Sequence, residues 1–282
     1  MCLKKIFGGN PLPQELPYGG KTALLFAIND YQGSVNNLRG CLNDQLMVEK
    51  WLNTYFPEFV IYKFKDRQVT RKIFTEWILK FKNKLTPGDD LFIHISSHGT
   101  RGFDKQGIEA DGYSEALYLH DGPLWDFELR EILTNIPYKS KITLAFDTCF
   151  SGGAISKNKY TSFLRKDLYI KPRFTETDII PPGIRKKSSF VRVFDHSNII
   201  QFAACGEGQT AADAYIAGKY RGAFTYFWIE TFVKNRNCDL WLASTKYAIN
   251  DIAHYSQVPQ IWGGIELINK PVFTNIKNRN DD

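Results

Sequence analysis

Lys141-Ile-Thr-Leu-Ala-Phe-Asp147-Thr-Cys149-Phe-Ser-Gly152-Gly153 is a short apolar run that stops at an acid, a thiol and a pair of glycines. A run of that length, bounded by turn residues, predicts a buried strand. Leu91-Phe-Ile-His-Ile-Ser-Ser-His98-Gly99 reads the same way and stops at an imidazole. Working outward, strand patterns fall at 21–28, 60–65, 90–96, 141–146 and 198–204. Helical patterns fall between and after them, at 38–56, 70–85, 125–136, 222–235 and 240–255. Thr70 is placed to cap the second helix, and Asp126 or a neighbour the third. Strand and helix in turn predict an α/β fold, a mostly parallel central sheet with helices on both faces. Such sheets gather ligands outside the carboxyl ends of their strands, which is where the two quoted runs put a cysteine and a histidine.

Composition narrows the classes. With 282 residues, 43% hydrophobic and 15% aromatic, the chain can bury a large core without staples. A charged fraction of 23% excludes a disordered chain, and no stretch reaches the roughly 20 apolar residues of a membrane span. Met1-Cys-Leu-Lys-Lys-Ile-Phe lacks the apolar core and small-residue cleavage site of a secretory leader, and the five cysteines, an odd number without a CxxC, fit a reducing compartment. The expected location is cytoplasmic. The net charge of +6 lies wholly in 153–198, which holds ten basic residues and four acids, so no basic face for nucleic acid is expected. That stretch also contains Pro181-Pro182-Gly183 and is long for a connection, as functional loops are.

A thiol and an imidazole at neighbouring strand ends are what nucleophilic cysteine catalysis requires, because only the thiolate attacks well and a base must make it. Cys149 is the candidate nucleophile and His98 the base. Gly99 lets the backbone approach a reacting carbonyl, so the Gly99 and Cys149 amides are the candidate oxyanion hole. Cys205 and Cys238 read as small core residues. Other chemistries fail on spacing: Ile155 stands where a phosphatase loop needs arginine, Ile95 where a zincin needs glutamate, and Glu15 where a P-loop needs its first glycine.

Several further blocks then carry a family resemblance. Ala27-Ile-Asn-Asp-Tyr-Gln-Gly with Leu38-Arg-Gly-Cys41-Leu-Asn-Asp44, Ser96-Ser-His98-Gly99-Thr, Asp111-Gly-Tyr-Ser-Glu115 with Leu124-Trp-Asp126-Phe-Glu-Leu, Asp147-Thr-Cys149-Phe-Ser-Gly, and Ala204-Cys-Gly-Glu-Gly-Gln209-Thr-Ala-Ala-Asp213 with Gly222-Ala-Phe-Thr-Tyr226 follow one another in order. The chain resembles the metacaspases, and among them the bacterial orthocaspases, over roughly 21–275. The resemblance implies a caspase–hemoglobinase fold and a cysteine endopeptidase cutting protein or peptide substrates after Arg or Lys. It implies one catalytic domain: a tail 1–20, a large-subunit-like part 21–152, a basic processing loop 153–198, a small-subunit-like part 199–275 and a tail 276–282. A monomer without nucleic-acid or membrane partners is expected. The alternative is an inactive caspase-like module that only binds peptides.

Departures from the pattern bear on calcium. Asp126 matches one calcium-binding acid of the family, but Phe127, Ser156 and Ser114 stand where others are expected. A Ca²⁺ ion needs about six to eight oxygen ligands. No metal and no other cofactor is therefore expected.

Substrate choice is partly readable from residues. Cys41, Val48, Trp51 and Tyr55 follow a helical spacing, and Asp44 falls on the same inward stripe, where an unpaired carboxylate is costly. Asp147, two residues before Cys149, points to the same side of its strand. Two converging carboxylates make a pocket for a cation, and the resemblance adds Ser96 to it. An enzyme of that specificity would hold its own basic loop near its groove, so Arg165, Lys166, Lys171, Arg173 and Arg185 are candidate self-cleavage positions.

Overall fold

A computed structural model describes residues 20–33, 35–103, 113–137, 139–149, 170–175, 198–206, 209–232 and 238–273. In chain order the elements are β1 (Lys21–Ala27), α1 (Cys41–Tyr55), β2 (Phe59–Lys65), α2 (Arg71–Lys82), β3 (Asp90–Ser96), β4 (His98–Phe103), β5 (Tyr113–Leu119), β6 (Gly122–Trp125), α3 (Asp126–Ile132), β7 (Lys141–Asp147), β8 (Ile170–Pro172), β9 (Ile199–Ala203), β10 (Ala212–Ile216), β11 (Lys219–Gly222), α4 (Ala223–Phe232), α5 (Cys238–Tyr247), β12 (Gln260–Gly263) and α6 (Ile265–Ile268).

The main sheet has the order β12-β9-β7-β3-β1-β2, with β12 antiparallel to β9 and every other pair parallel. Its two faces follow from strand alternation. Leu24 and Phe26 of β1, with Ile93 and Ile95 of β3, pack on one side with Phe74, Trp77 and Ile78 of α2. Ala23 and Leu25, with Phe92, pack on the other with Val48 and Trp51 of α1 and Trp228 of α4. Trp228 and Trp241 stack at 4.1 Å in that second layer, and fully burying a large side chain of this kind contributes about 2–3 kcal/mol. Thr70 caps α2 by accepting from Ile73 N–H at 3.2 Å. Asp126 does not cap α3: it is that helix's first residue, and Glu128 reaches back to the Trp125 N–H at 2.9 Å.

Two small sheets lie beyond the expected elements, β4-β5-β6 and β11-β10-β8. The β10–β11 hairpin turns at Ala217 and Gly218, both with positive φ, as a two-residue turn matched to strand twist demands. The chain runs from β1 outward to β2, then returns past β1 to β3. That reversal makes β1 and β3 the edges of a crevice at the carboxyl end of the sheet, and the segments following both strands border it.

Candidate active site

Parallel register sets the first level of the site. Ala27, Ser96 and Asp147 are neighbours across β1, β3 and β7, so the carboxyl ends of the strands finish together. His98, the first residue of β4, lies two residues after β3, and Cys149 two residues after β7. Both are buried. A side chain on Gly99 would run into the Cys149 backbone, so these two segments meet only because residue 99 is glycine.

His98 is oriented from the segment after β1. Its Nε2 lies 2.7 Å from the carbonyl of Asn36, which can only accept, so Nε2 carries the proton and the neutral ring offers Nδ1 as the base. Nδ1 is buried and has no hydrogen-bond partner. Burial lowers the His98 pKa to about 4, against the pull of the Asn36 and Arg173 carbonyls, so the ring is neutral at pH 7. The Tyr31 hydroxyl accepts from the His98 N–H at 2.8 Å. The Cys149 sulfur accepts from the Ala211 N–H at 2.8 Å, and no hydrogen bond joins thiol and imidazole.

Beside the thiol lies a buried charge cluster. Asp44 sits on the α1 stripe with Cys41, Val48 and Trp51, all fully or almost fully buried. It receives hydrogen bonds from Ser96 Oγ at 2.7 Å and from Gly222 N–H at 2.9 Å. Asp147 receives the Thr225 N–H at 2.9 Å and the Thr225 hydroxyl at 2.7 Å. The end of β11 at Gly222 and the first turn of α4 that follows it thus serve the two acids, with the positive end of that helix turned toward them. A side chain at position 222 would strike Asp147. The third acid, Asp213 of β10, accepts from Arg39 N–H at 2.8 Å.

Arg173 fills the space between the three acids and is fully buried. Its Nη2 lies 2.7 Å from Asp44 Oδ2 and 3.1 Å from Asp213 Oδ1; its Nη1 lies 3.2 Å from Asp147 Oδ1 and 2.6 Å from Ser96 Oγ. Burial alone would lower the guanidinium pKa, but Asp147 and the other acids more than reverse this and hold it above its ordinary value. Burial pushes the Asp44 carboxyl up to about 7, with Arg173 pulling the other way.

The backbone around Arg173 lies as a strand added to the groove. β8 pairs antiparallel with β10, and Arg173 N–H donates to Ala211 O at 3.0 Å. The Arg173 carbonyl accepts from Gly99 N–H at 2.8 Å and from Cys149 N–H at 3.4 Å. Thr175 N–H then donates to Gly99 O at 3.0 Å. The Lys171 ammonium points out to the Asn37 carbonyl, at 2.8 Å. Of the five candidate self-cleavage positions, Arg173 enters the pocket and Lys171 does not. Arg165, Lys166 and Arg185 lie outside the described residues.

Sequence reasoning had brought Asp44, Ser96, Asp147, His98, Gly99 and Cys149 to one place, and the structure puts all six around this groove. It missed Asp213, Asn36, Ala211 and the first turn of α4. Asp213 carried a signal of another kind, an acid among small apolar neighbours, Ala211, Ala212 and Ala214.

Of the positions compared with the family's calcium-binding acids, Ser114, Asp126 and Phe127 fall within the described residues. Asp126 is 1% exposed and stands 3.9 Å from Arg130, and the next residue is Phe127. Among the described residues, no group of three His, Cys, Asp or Glu side chains stands together as a metal-binding set. At the described positions, Phe127 offers no ligating side chain and Ser114 offers a hydroxyl in place of a carboxylate. Asp111 and Ser156 lie outside the described residues.

Residues 21–158 match the family model described as metacaspase, peptidase C14 domain. Metacaspase-1 of Mycosarcoma maydis is 28% identical over 86% of this chain and 70% of its own length. Metacaspase-1 of Schizosaccharomyces pombe is 27% identical over 86% and 67%. Metacaspase-1B of Aspergillus terreus is 26% identical over 90% and 79%. A crystal structure of a Geobacter sulfurreducens protein superposes with a TM-score of 0.68 at 18% identity, covering 90% of this chain and 98% of that one, which shows the fold.

Proposed function

We propose that this chain, a metacaspase-like cysteine endopeptidase, hydrolyses peptide bonds after arginine or lysine through Cys149 and His98, and cuts itself between Arg173 and Phe174. One observation carries the reading: Arg173 has its guanidinium among three buried carboxylates while its own carbonyl oxygen faces the amides of Gly99 and Cys149. Arg173 then stands as the residue before the cut, and Phe174 as the one after it.

The reaction follows from the geometry. His98 Nδ1 takes the thiol proton, the Cys149 sulfur leaves Ala211 N–H and bonds to the Arg173 carbonyl carbon, and the carbonyl electrons move onto oxygen. Gly99 and Cys149 N–H groups hold that oxyanion, and removing one such donor typically costs about 10²–10³ in rate. The intermediate collapses by breaking the C–N bond to Phe174, whose nitrogen takes the proton from His98. Water then adds to the thioester carbon, giving a proton back to His98, and the thiolate leaves. The Asn36 carbonyl keeps the ring in the tautomer that these transfers need. We further take the enzyme to work without calcium, as a monomer, in the cytoplasm; the Asp126–Arg130 contact supports the first and the odd cysteine count the last.

The test is a purified chain followed on a denaturing gel with terminal sequencing of the fragments. The front fragment is expected to end at Arg173, Cys149→Ala to stay intact, and Arg173→Ala to lose that cut. A Cys149→Ala chain cut at the same bond, or wild-type fragments without an end at Arg173, overturns the reading.

A further inference from the structure

One buried titratable group takes no part in the chemistry just described. His94 of β3 is fully buried, and its Nε2 lies 3.2 Å from the Thr225 hydroxyl oxygen. That same oxygen lies 2.7 Å from Asp147 Oδ2. A hydroxyl has one proton. An ionised Asp147, paired with a guanidinium, can only accept, so Thr225 gives its proton to Asp147 and accepts from His94. The imidazole must then carry its hydrogen on Nε2, which fits a ring kept neutral, its pKa lowered to about 3 by burial and the nearby Arg173 charge. Nδ1 of His94 has no hydrogen-bond partner. The chain from His94 through Thr225 to Asp147 therefore runs one way, and it pins Oδ2 so that Oδ1 faces the pocket.

Oδ1 has a distinct partner there. Asp44 and Asp213 both accept from Nη2 of Arg173. Asp147 Oδ1 instead makes an ion pair with Nη1 at 3.2 Å, the hydrogen bonds of Nη1 going to Ser96 Oγ at 2.6 Å and to the Asp147 backbone carbonyl at 3.0 Å. A guanidinium presents two nitrogens on a rigid fork, and an ammonium presents one. A lysine reaching Asp44 and Asp213 with its single nitrogen leaves Asp147 less well served; an arginine serves all three. We propose that His94 and Thr225 are positioning residues that aim Asp147 at the second prong of the fork, and so set a preference for arginine over lysine at the cut site. This rests on the reading that the pocket takes the basic residue before the cut.

The experiment uses the full chain carrying Arg173→Ala, so that its own arginine leaves the pocket free, and two fluorogenic peptides that differ only in Arg or Lys. In that chain Arg is cut at least as well as Lys. Adding Thr225→Val is expected to raise KM for the Arg peptide about tenfold, with kcat held within about threefold and the Lys peptide changed by less than about threefold. Thr225→Ser keeps the hydroxyl and should keep the Arg:Lys ratio. His94→Gln, which can still donate to Thr225, should keep most of it, and His94→Leu should follow Thr225→Val. If Thr225→Val does not fold, the His94→Gln and His94→Leu pair reads the same ratio. Equal losses on both peptides, a change confined to kcat, or a Thr225→Ser variant as poor as Thr225→Val overturns this inference and leaves the peptidase reading standing. A parent chain that unfolds cooperatively, and so is folded, yet cuts neither peptide overturns both.

Discussion

The two ends of the central sheet each hold a cluster of charges, and they are built on opposite principles. At the amino ends, Lys21, Asp90 and Lys141 are neighbours in register across β1, β3 and β7. Lys21 meets Glu58 at 3.0 Å and Asp90 at 3.8 Å, and Lys141 meets Asp90 at 3.3 Å. Two cations and two acids from residues around those strands balance one another at the rim of the sheet. At the carboxyl ends, Asp44, Asp147 and Asp213 converge in the interior, and the cation among them comes from a separate segment, β8 and the residue after it. A cluster that neutralises itself needs nothing more. One that leaves three carboxylates facing a single gap calls for a visitor of opposite charge, since stripping the partner from a buried ion pair costs about 3–5 kcal/mol.

That contrast is open to direct attack, beginning where the effect is largest. In a Cys149→Ala background, which keeps the chain uncut, Arg173→Ala should destabilise by about 3–5 kcal/mol in denaturant unfolding, whereas Lys141→Met at the other end, which leaves Asp90 paired with Lys21, should cost less. The Arg173→Ala penalty should be largest at high pH and shrink as pH falls toward about 7, because the Asp44 carboxyl, held at about 7 with the arginine pulling it down, takes its proton at a higher pH once that arginine is gone. Equal costs at both ends would erase the distinction.

The catalytic side of the comparison comes next. Asp44→Ala and Asp147→Ala should each lower kcat/KM on an Arg peptide by a factor on the order of 10², through a substrate charge left partly unpaired. Asp90→Ala should lower the melting temperature and leave that ratio within about threefold. An Asp90→Ala chain as poor on Arg peptides as Asp44→Ala would mean that both clusters serve the site.

A pH series sharpens the same point. His98 must be neutral to take the thiol proton, and its pKa in the filled groove is about 4, below the ordinary 6.5. Self-cleavage should therefore hold its rate from pH 7 down to about 5 and fall by half near 4. Cleavage of added peptide, where the groove empties and the ring regains water, should lose rate at higher pH, toward 6.5. Coincident acid limbs in the two assays would refute a burial effect that depends on the bound segment. Smallest of all, a chelator should change peptide cleavage by less than about twofold, whereas a large and reversible loss in EGTA would mean that other oxygens hold calcium.

How much of this could be read in advance depended on whether a signal was local. The five parallel strands were legible because they are short apolar runs with clear ends, and Asp44 because an acid on the stripe Cys41, Val48, Trp51 stands out. Asp147 followed from strand alternation past Phe146. β12, Gln-Ile-Trp-Gly, is too short to show a period, and β10 and β11 have no continuous apolar run. Arg173 could not be chosen among five bases from sequence, since its choice is made by pairing with β10, about 40 residues later in the chain. Asp213, Thr225 and Gly222 reach the pocket through tertiary packing of the back half. No spacing in the sequence ties them to Asp44 or Asp147.

The position of the Arg173–Phe174 bond has a further consequence for what a cut would do. It falls between β7 and β9, yet those two strands lie side by side in the interior of the sheet, paired from Ile142 with Ile199 to Phe146 with Ala203. The piece before the bond carries Cys149, His98 and Asp44; the piece after it carries Asp213 and the junction of β11 and α4 that holds Asp44 and Asp147 in place. Neither piece owns a complete groove. Severing the covalent thread leaves a nicked body whose seam runs through its own centre, laced by strand pairing and by a shared aromatic layer in which Trp51 of one piece meets Trp228 and Trp241 of the other. Such a body frees the chain ends beside the thiol without coming apart, and it keeps a working groove only for as long as the two pieces stay married.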